Sequence, residues 1–152
     1  MRYFAYGVHM DPRAMAEACP GAPAGKVGRL DGYRLGFTVY SERWEGGAAN
    51  IEADPDAHVW GVVWEVPEEC IRALDTYEGH PTFYRQEDVT VATGDRTVDC
   101  VTYRVAHQTG FVRPSDAYVN VLRAAMRQQG LPPEALDILE AAARPPGPRI
   151  RS

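Results

Sequence analysis

The spacing of hydrophobic positions predicts strands in the first two thirds of the chain and helices in the last third. Residues 27–40 alternate apolar and polar side chains with a period near two, which is typical of a half-buried strand. Residues 58–66 are almost continuously apolar, which indicates a strand buried on both faces. Shorter strands are predicted over residues 2–6, 47–52, 83–92 and 97–105, with a turn at 53–57 and a hairpin turn at 93–96.

Capping residues mark four helices. Asp11 and Pro12 predict the start of the first, and Ser115 predicts the start of a helix with an apolar stripe. Gly130 ends that helix, and Pro133 opens the last one. Because the strands largely precede the helices, the order favours an α+β fold.

The remaining helix, over residues 67–79, ends on a glutamate at an unusual place. Ile71, Leu74 and Glu78 project from one face, because they are spaced by three, four and seven residues. That face is apolar, and Glu78 also lies at the negative end of the helix dipole. Both effects disfavour the charged carboxylate, a condition that suits a general base near neutral pH. A glutamate that bends out into the solvent is the alternative.

Composition narrows the class of protein. The 152 residues predict one domain over residues 1–143 and a loose Pro/Arg-rich tail over 144–152. The net charge of −5 argues against a nucleic-acid partner, and no apolar run is long enough for a membrane span. The N-terminal segment is too short for a signal peptide. Three widely spaced cysteines predict neither a metal motif nor a disulfide, so a cytoplasmic location is expected.

Few other residues suggest chemistry. The four histidines lack the spacing of a zinc motif, so no metal or organic cofactor is expected. His80 follows Glu78 closely enough to pair with it, although neighbours across a glycine turn often diverge. Gly7 separates a strand from a helix, and such a turn leaves backbone N–H groups free to hold an anion or a carbonyl oxygen.

Six short segments occur in a specific order and spacing. They are Tyr3-Phe4-Ala5-Tyr6-Gly7, Trp44-Glu45-Gly46-Gly47-Ala48, Val59-Trp60-Gly61-Val62-Val63-Trp64, Leu74-Asp75-Thr76-Tyr77-Glu78-Gly79, Pro114-Ser115-Asp116-Ala117-Tyr118 and Gly130-Leu131-Pro132. Together they resemble the motifs of the γ-glutamylcyclotransferase family over most of the chain.

The resemblance implies a small mixed β-barrel flanked by helices, with the site at one end. It implies a small-molecule γ-glutamyl amide as substrate, cyclised to 5-oxoproline and a free amine without a cofactor, and it leaves a homodimer open. Glu78 matches the family's catalytic glutamate. The residues expected to bind substrate are Tyr3, Phe4, Ala5, Tyr6, Gly7, Val8, His9, Tyr84 and Tyr118.

The sequence departs from the family pattern after Gly7, where Val8 and His9 replace the usual Ser-Asn. The change removes a hydroxyl and introduces an imidazole, so it predicts a narrow substrate range that favours a bulkier or more basic amine. His9 either lines the pocket or turns outward. The alternatives are a housekeeping γ-glutamyl peptide enzyme, a biosynthetic enzyme that removes a γ-glutamyl protecting group from an antibiotic precursor, and a non-catalytic binding relative.

Overall fold

A computed structural model describes residues 1–146 of the chain. The five strands are β1 Arg2–Ala5, β2 Lys26–Ser41, β3 Gly46–Glu65, β4 Tyr84–Thr93 and β5 Arg96–Val105. The four α-helices are α1 Pro12–Ala18, α2 Glu68–Glu78, α3 Asp116–Gln128 and α4 Pro133–Ala143, and a short 3₁₀ helix spans Val8–Met10.

The strands close into a barrel in the order β1-β3-β2-β4-β5. Neighbouring strands are antiparallel except β1 and β5, which pair in parallel where Tyr3 faces Val101. Closure removes exposed strand edges, and apolar side chains from strands and helices fill one continuous core. This is the mixed barrel flanked by helices that the resemblance implies, so the predicted α+β fold is confirmed.

The turn predicted over residues 53–57 does not end a strand. β3 continues through it, while the pairing with β2 moves from Asp31–His58 to Tyr33–Ala53. Residues 54–57 therefore form an extra segment opposite Gly32, whose φ of +84° suits only glycine well. The Asp/Pro pattern at 53–57 therefore coincides with an irregularity in the pairing. β3 continues as one strand because β2 pairs with the residues on both sides of it.

The predicted caps are confirmed. The Asp11 side chain accepts a hydrogen bond from Arg13 N at the start of α1, and the Ser115 side chain accepts one from Tyr118 N at the start of α3. At the end of α2, Gly79 adopts the left-handed conformation with φ +68°. Gly79 therefore ends the helix directly after Glu78, so the Glu78 side chain projects from the last helical position.

The expectation that the cysteines form no disulfide is wrong. Cys19 follows α1 and Cys70 lies in the first turn of α2, and the two are joined by a disulfide with their Cα atoms 5.2 Å apart. Fifty-one residues separate them in sequence, and only the packing of α1 beside α2 brings them together. The cysteines therefore give no support for a reducing compartment, and the cytoplasmic location stays a prediction. Cys100 is free and buried, and burial raises the pKa of its thiol to about 11.

Two further predictions concern the chain as a whole. A loose tail is predicted over residues 144–152, and its residues 147–152 lie outside the described part of the chain. No helix within residues 1–146 is long and apolar enough to cross a membrane.

Candidate active site

A cavity of about 540 Å³ forms where β1, the β2–β3 turn, the end of α2 and the start of β4 meet. Its wall is rich in aromatic side chains, and it also contains one buried histidine and one carboxylate from α2. The aromatic members are Tyr3, Tyr6, Tyr40, Trp44, Tyr77, Phe83, Tyr84, Tyr103 and Tyr118. A concave, largely apolar pocket with a few polar groups is typical of a small-molecule site.

Glu78 reaches this cavity from the last position of α2. It shares the inward face of the helix with Ile71 and Leu74, which are both buried, and its side chain is only 15% exposed. The carboxylate therefore faces the cavity, and the alternative in which it bends into the solvent is excluded. His9 is its one ionic neighbour among the described residues.

His9 also points inward, so the alternative in which it turns outward is wrong. Its side chain is 3% exposed, and its Nδ1 lies 3.8 Å from Oε1 of Glu78. The imidazole packs edge-on against the Tyr77 ring with centroids 4.6 Å apart, and Trp64 Nε1 donates to the His9 carbonyl at 2.9 Å. At 3.8 Å the two side chains are not hydrogen-bonded, so both remain able to bond a ligand.

His80 does not pair with Glu78. Its Nδ1 accepts a hydrogen bond from Gln86 N at 3.2 Å, and its backbone N–H donates to the Asp75 carbonyl. The chain reverses at Gly79, which turns the imidazole toward β4. The glutamate is approached instead by a histidine that is distant in sequence.

Backbone groups hold the buried tyrosines of the cavity. Tyr6 donates to the Tyr103 carbonyl at 2.5 Å, and Tyr84 donates to the Ala49 carbonyl at 2.6 Å. The Tyr118 hydroxyl accepts from Ala49 N at 3.2 Å. These bonds satisfy polar groups that would otherwise be costly to bury.

The same tyrosines remain neutral phenols near the carboxylate. Burial raises the pKa of Tyr3, Tyr6, Tyr84 and Tyr118 well above the ordinary value of 10, and the negative charge of Glu78 raises each pKa further. A neutral phenol can donate a hydrogen bond to an anion. The Tyr3 hydroxyl donates to no protein group among the described residues, which leaves it available to a ligand.

The loop after β1 contributes backbone donors. The 3₁₀ helix is closed by bonds from Met10 N to the Gly7 carbonyl and from Asp11 N to the Val8 carbonyl. Within residues 1–146, none of the turn and loop hydrogen bonds has the N–H group of Gly7, Val8 or His9 as its donor. No side chain accepts a hydrogen bond from these groups either. All three residues line the cavity, so these N–H groups are positioned for a ligand oxygen.

The structure brings together most of the residues predicted from the sequence. The predicted residues that line the cavity are Tyr3, Tyr6, Gly7, Val8, His9, Glu78, Tyr84 and Tyr118. Phe4 and Ala5 lie outside the lining. Side chains alternate along a strand, so Phe4 points away from Tyr3 and its ring packs against Gly61. Ala5 is buried where β1 pairs with Val62.

Sequence reasoning missed two groups of residues. Arg43 lies over the Tyr77 ring, with its guanidinium carbon 3.9 Å from the centroid, and Trp44 packs 4.8 Å from Tyr118. Asp75 accepts hydrogen bonds from the Tyr103 hydroxyl at 2.6 Å and from Gln86 Nε2 at 2.7 Å, which anchors the last turn of α2. Asp75 and Tyr77 belong to the same motif as Glu78, and that proximity was the available signal.

No group of three or more His, Cys, Asp or Glu side chains within residues 1–146 is arranged to hold a metal ion. The absence of a cofactor stays a prediction.

Comparisons with known proteins agree with this architecture. The model of the AIG2-like family matches residues 58–139, which is more than half of the chain. A solved gamma-glutamyl cyclotransferase has a TM-score of 0.86 and 30% identity, covering 93% of this chain and 86% of that one. The structure of an uncharacterized human protein has a TM-score of 0.85 and 29% identity, covering 99% of this chain and 91% of that one.

A protein of Methanocaldococcus jannaschii, named "Putative gamma-glutamylcyclotransferase MJ1514", is 37% identical over 41 residues. That match covers 27% of this chain and 34% of the archaeal protein, so it spans about a third of that relative. The family model and the full-length structural match are more extensive. On their evidence, the chain belongs to the γ-glutamylcyclotransferase (AIG2-like) family.

Proposed function

We propose that the protein cleaves a γ-glutamyl amide by intramolecular cyclisation and releases 5-oxoproline and a free amine. One observation carries the proposal: the Glu78 carboxylate is mostly buried, faces a cavity and is hydrogen-bonded to no neighbouring side chain. A carboxylate held in this way has no structural partner to explain it. The solved family member at 30% identity carries the name gamma-glutamyl cyclotransferase, which supports the same reaction here.

The reaction needs only groups of the substrate and one proton carrier. The α-amine of the substrate attacks its own γ-carbonyl carbon, so a C–N bond forms and a five-membered ring closes. The original amide C–N bond then breaks. Glu78 takes a proton from the attacking amine and returns it to the leaving amine, so no water is consumed. Holding the substrate in a folded conformer supplies much of the rate enhancement, because the nucleophile is already in the molecule.

The loop after β1 would stabilise negative charge. The free N–H groups of Gly7 and Val8 would bind either the oxyanion of the tetrahedral intermediate or the substrate carboxylate. The neutral hydroxyl of Tyr3 would add a further donor; the centroids of the Tyr3 and His9 rings are 6.4 Å apart. The proposed steps use no metal, organic cofactor, nucleic acid or membrane.

The experiment is a panel of γ-glutamyl amides assayed for 5-oxoproline by mass spectrometry. We expect 5-oxoproline and the amine in equal amounts from at least one member. The matched control is the same amide with its α-amine acetylated, which cannot cyclise but which a hydrolase would still cleave. Cleavage of the acetylated control, or no 5-oxoproline from any member, would overturn the proposal.

A second candidate is the removal of a γ-glutamyl protecting group from a biosynthetic precursor. The buried position of His9 beside Glu78 favours it, because an imidazole there reshapes the space that the family fills with asparagine. Turnover confined to a bulky conjugate would support this role. Tight binding of several amides without turnover would instead identify a non-catalytic relative.

A further inference from the structure

The cavity is larger than its proposed reaction requires. A volume of about 540 Å³ falls in the range that buries a drug-sized ligand, which exceeds a γ-glutamyl group. The groups assigned to the γ-glutamyl half, Glu78, Gly7 and Tyr3, are only three of the residues that line it. The remaining wall is therefore available to the amine half of the substrate, and its chemistry indicates which amine fits.

Exposed aromatic rings are concentrated at this cavity. Among the described residues, only Met1, Tyr40 and Phe83 are large hydrophobic side chains with extensive exposure. Tyr40 is 54% exposed, Phe83 is 39% exposed, and both line the cavity. Exposed apolar rings gathered at a pocket are typical of a ligand contact surface rather than of chance exposure.

The backbone is held in place at both rings. Tyr40 lies in β2 and pairs with Gly47 of β3. The backbone of Phe83 donates to the Gly79 carbonyl at 2.9 Å and accepts from Ala106 N at 2.9 Å. Rings on a fixed backbone lose little conformational entropy when a ligand binds, so they are effective contact residues.

A cation, Arg43, also lines the cavity. Arg43 is exposed and stacks on Tyr77, and no carboxylate within residues 1–146 forms an ion pair with it. Glu42 also lines the cavity and is exposed. A guanidinium fixed by stacking presents its N–H groups to a planar anion such as a carboxylate.

We propose that Tyr40, Phe83 and Arg43 form a subsite for the released amine, and that this amine is an aromatic α-amino acid. Its ring packs on Tyr40 and Phe83, and its carboxylate pairs with Arg43. The inference rests on the proposed cyclisation and adds the substrate class. It keeps the bulky amine expected from the sequence, but it replaces the basic amine with an anionic one, because the Arg43 guanidinium is stacked on Tyr77 and has no ion-pair partner within residues 1–146.

Four substrates separate the ring from the carboxylate: γ-glutamyl-phenylalanine, γ-glutamyl-phenethylamide, γ-glutamyl-alanine and γ-glutamyl-ethylamide. We expect kcat/KM for the phenylalanine conjugate to exceed that of the alanine conjugate by about 2- to 10-fold, as aromatic packing commonly gives. It should exceed that of the phenethylamide by about 2- to 5-fold, as a partly exposed ion pair gives. These comparisons use the wild-type protein, so no variant has to fold.

Variants then assign each preference to its residue. Tyr40→Ala and Phe83→Ala should bring the phenylalanine-to-alanine ratio of kcat/KM toward one. Arg43→Gln should do the same for the phenylalanine-to-phenethylamide ratio. Arg127→Gln changes an exposed arginine at the end of α3 and is the matched control, which should retain the wild-type ratio.

The outcomes separate this inference from the proposed function. Equal kcat/KM for all four substrates would overturn the subsite and leave the cyclisation intact. A preference for γ-glutamyl-ethylamide would do the same. Release of 5-oxoproline from none of the four, nor from the wider panel, would overturn the proposed function and the subsite together.

Discussion

Residues 1–146 contain two histidine–glutamate pairs, which differ in burial and in the contact between their side chains. His9 and Glu78 are both largely buried at the cavity, and their nearest ring nitrogen and carboxylate oxygen are 3.8 Å apart. His58 and Glu134 are partly exposed on the outside of the barrel, where His58 Nε2 contacts Oε1 of Glu134 directly.

The outer pair is hydrogen-bonded within the protein. Glu134 also accepts a hydrogen bond from Trp60 Nε1 at 2.9 Å, and this bond and the one to His58 lower the pKa of its carboxyl. The contacts attach the first turn of α4 to strand β3. Both bonds reach Oε1 of Glu134, so a structural role accounts for the pair.

The difference shows how a functional pair is recognised. An exposed ion pair contributes little stability, but it costs little because water solvates both charges. A buried carboxylate without a hydrogen-bonding partner is costly, and such an arrangement is common where a substrate supplies the missing partner. Substitutions in the buried pair can therefore be compared with matched substitutions in the outer pair as controls.

The largest expected effect concerns the two glutamates. We expect Glu78→Gln to lower turnover by about 10²- to 10⁴-fold, the usual contribution of a general acid–base, with folding nearly intact. Glu134→Gln is the matched change on the outer pair and should retain wild-type turnover. Assays of 5-oxoproline release and thermal melts of both variants check this. Near-full activity of Glu78→Gln, or its failure to fold, would contradict the role assigned to the buried pair.

The disulfide Cys19–Cys70 joins α1, which follows the loop of His9, to α2, which ends at Glu78. We expect Cys19→Ser to lower the free energy of unfolding by about 2–4 kcal/mol, because the cross-link constrains the unfolded chain. Denaturant unfolding of Cys19→Ser and of the Cys19→Ser/Cys70→Ser double variant should give the same loss. If chemical reduction left the stability of the wild-type protein unchanged, the bond would not contribute.

The third prediction concerns the histidines. Restoring the family residues with Val8→Ser and His9→Asn should change the ratio of kcat/KM between γ-glutamyl-alanine and γ-glutamyl-phenylalanine by about tenfold, as altered pocket shape commonly does. His58→Asn is the matched control and should leave that ratio at its wild-type value. An unchanged ratio in the Val8/His9 double variant would show that these positions do not set specificity.

The smallest effect is a pH dependence of stability at the outer pair. The pKa of Glu134 is lower in the folded protein than in the unfolded chain, so its stabilising effect is complete above the unfolded pKa of about 4.5. It is lost as the pH falls through the lower, folded pKa. The stability difference between wild type and Glu134→Gln should therefore be small at pH 7 and should vanish in strong acid. A difference that grows as the pH falls would contradict this sign.

The sequence predicted the elements that depend on local signals. Caps such as Asp11 and Ser115, and the apolar face shared by Leu74 and Glu78, act within a few residues, so their consequences can be read from spacing. The continuation of β3 through residues 54–57 could not be predicted from spacing, because pairing with β2 overrides a local turn signal.

The same limit applies to the site. Glu78 was found from its helix, and the tyrosines from the resemblance. The pairing of Glu78 with His9, the disulfide from Cys19 and the position of Arg43 over Tyr77 all join residues distant in sequence. Only the tertiary fold brings these partners together, and no local pattern encodes it.

The central claim is that the substrate amine, rather than water, attacks the γ-carbonyl. The most direct measurement is turnover of a γ-glutamyl amide by the wild-type protein in ¹⁸O-enriched water, with mass spectrometry of the products. Cyclisation predicts unlabelled 5-oxoproline in equal amount to the released amine, because no water oxygen enters the product. Glutamate carrying one ¹⁸O in its γ-carboxylate would show hydrolysis and would contradict the account.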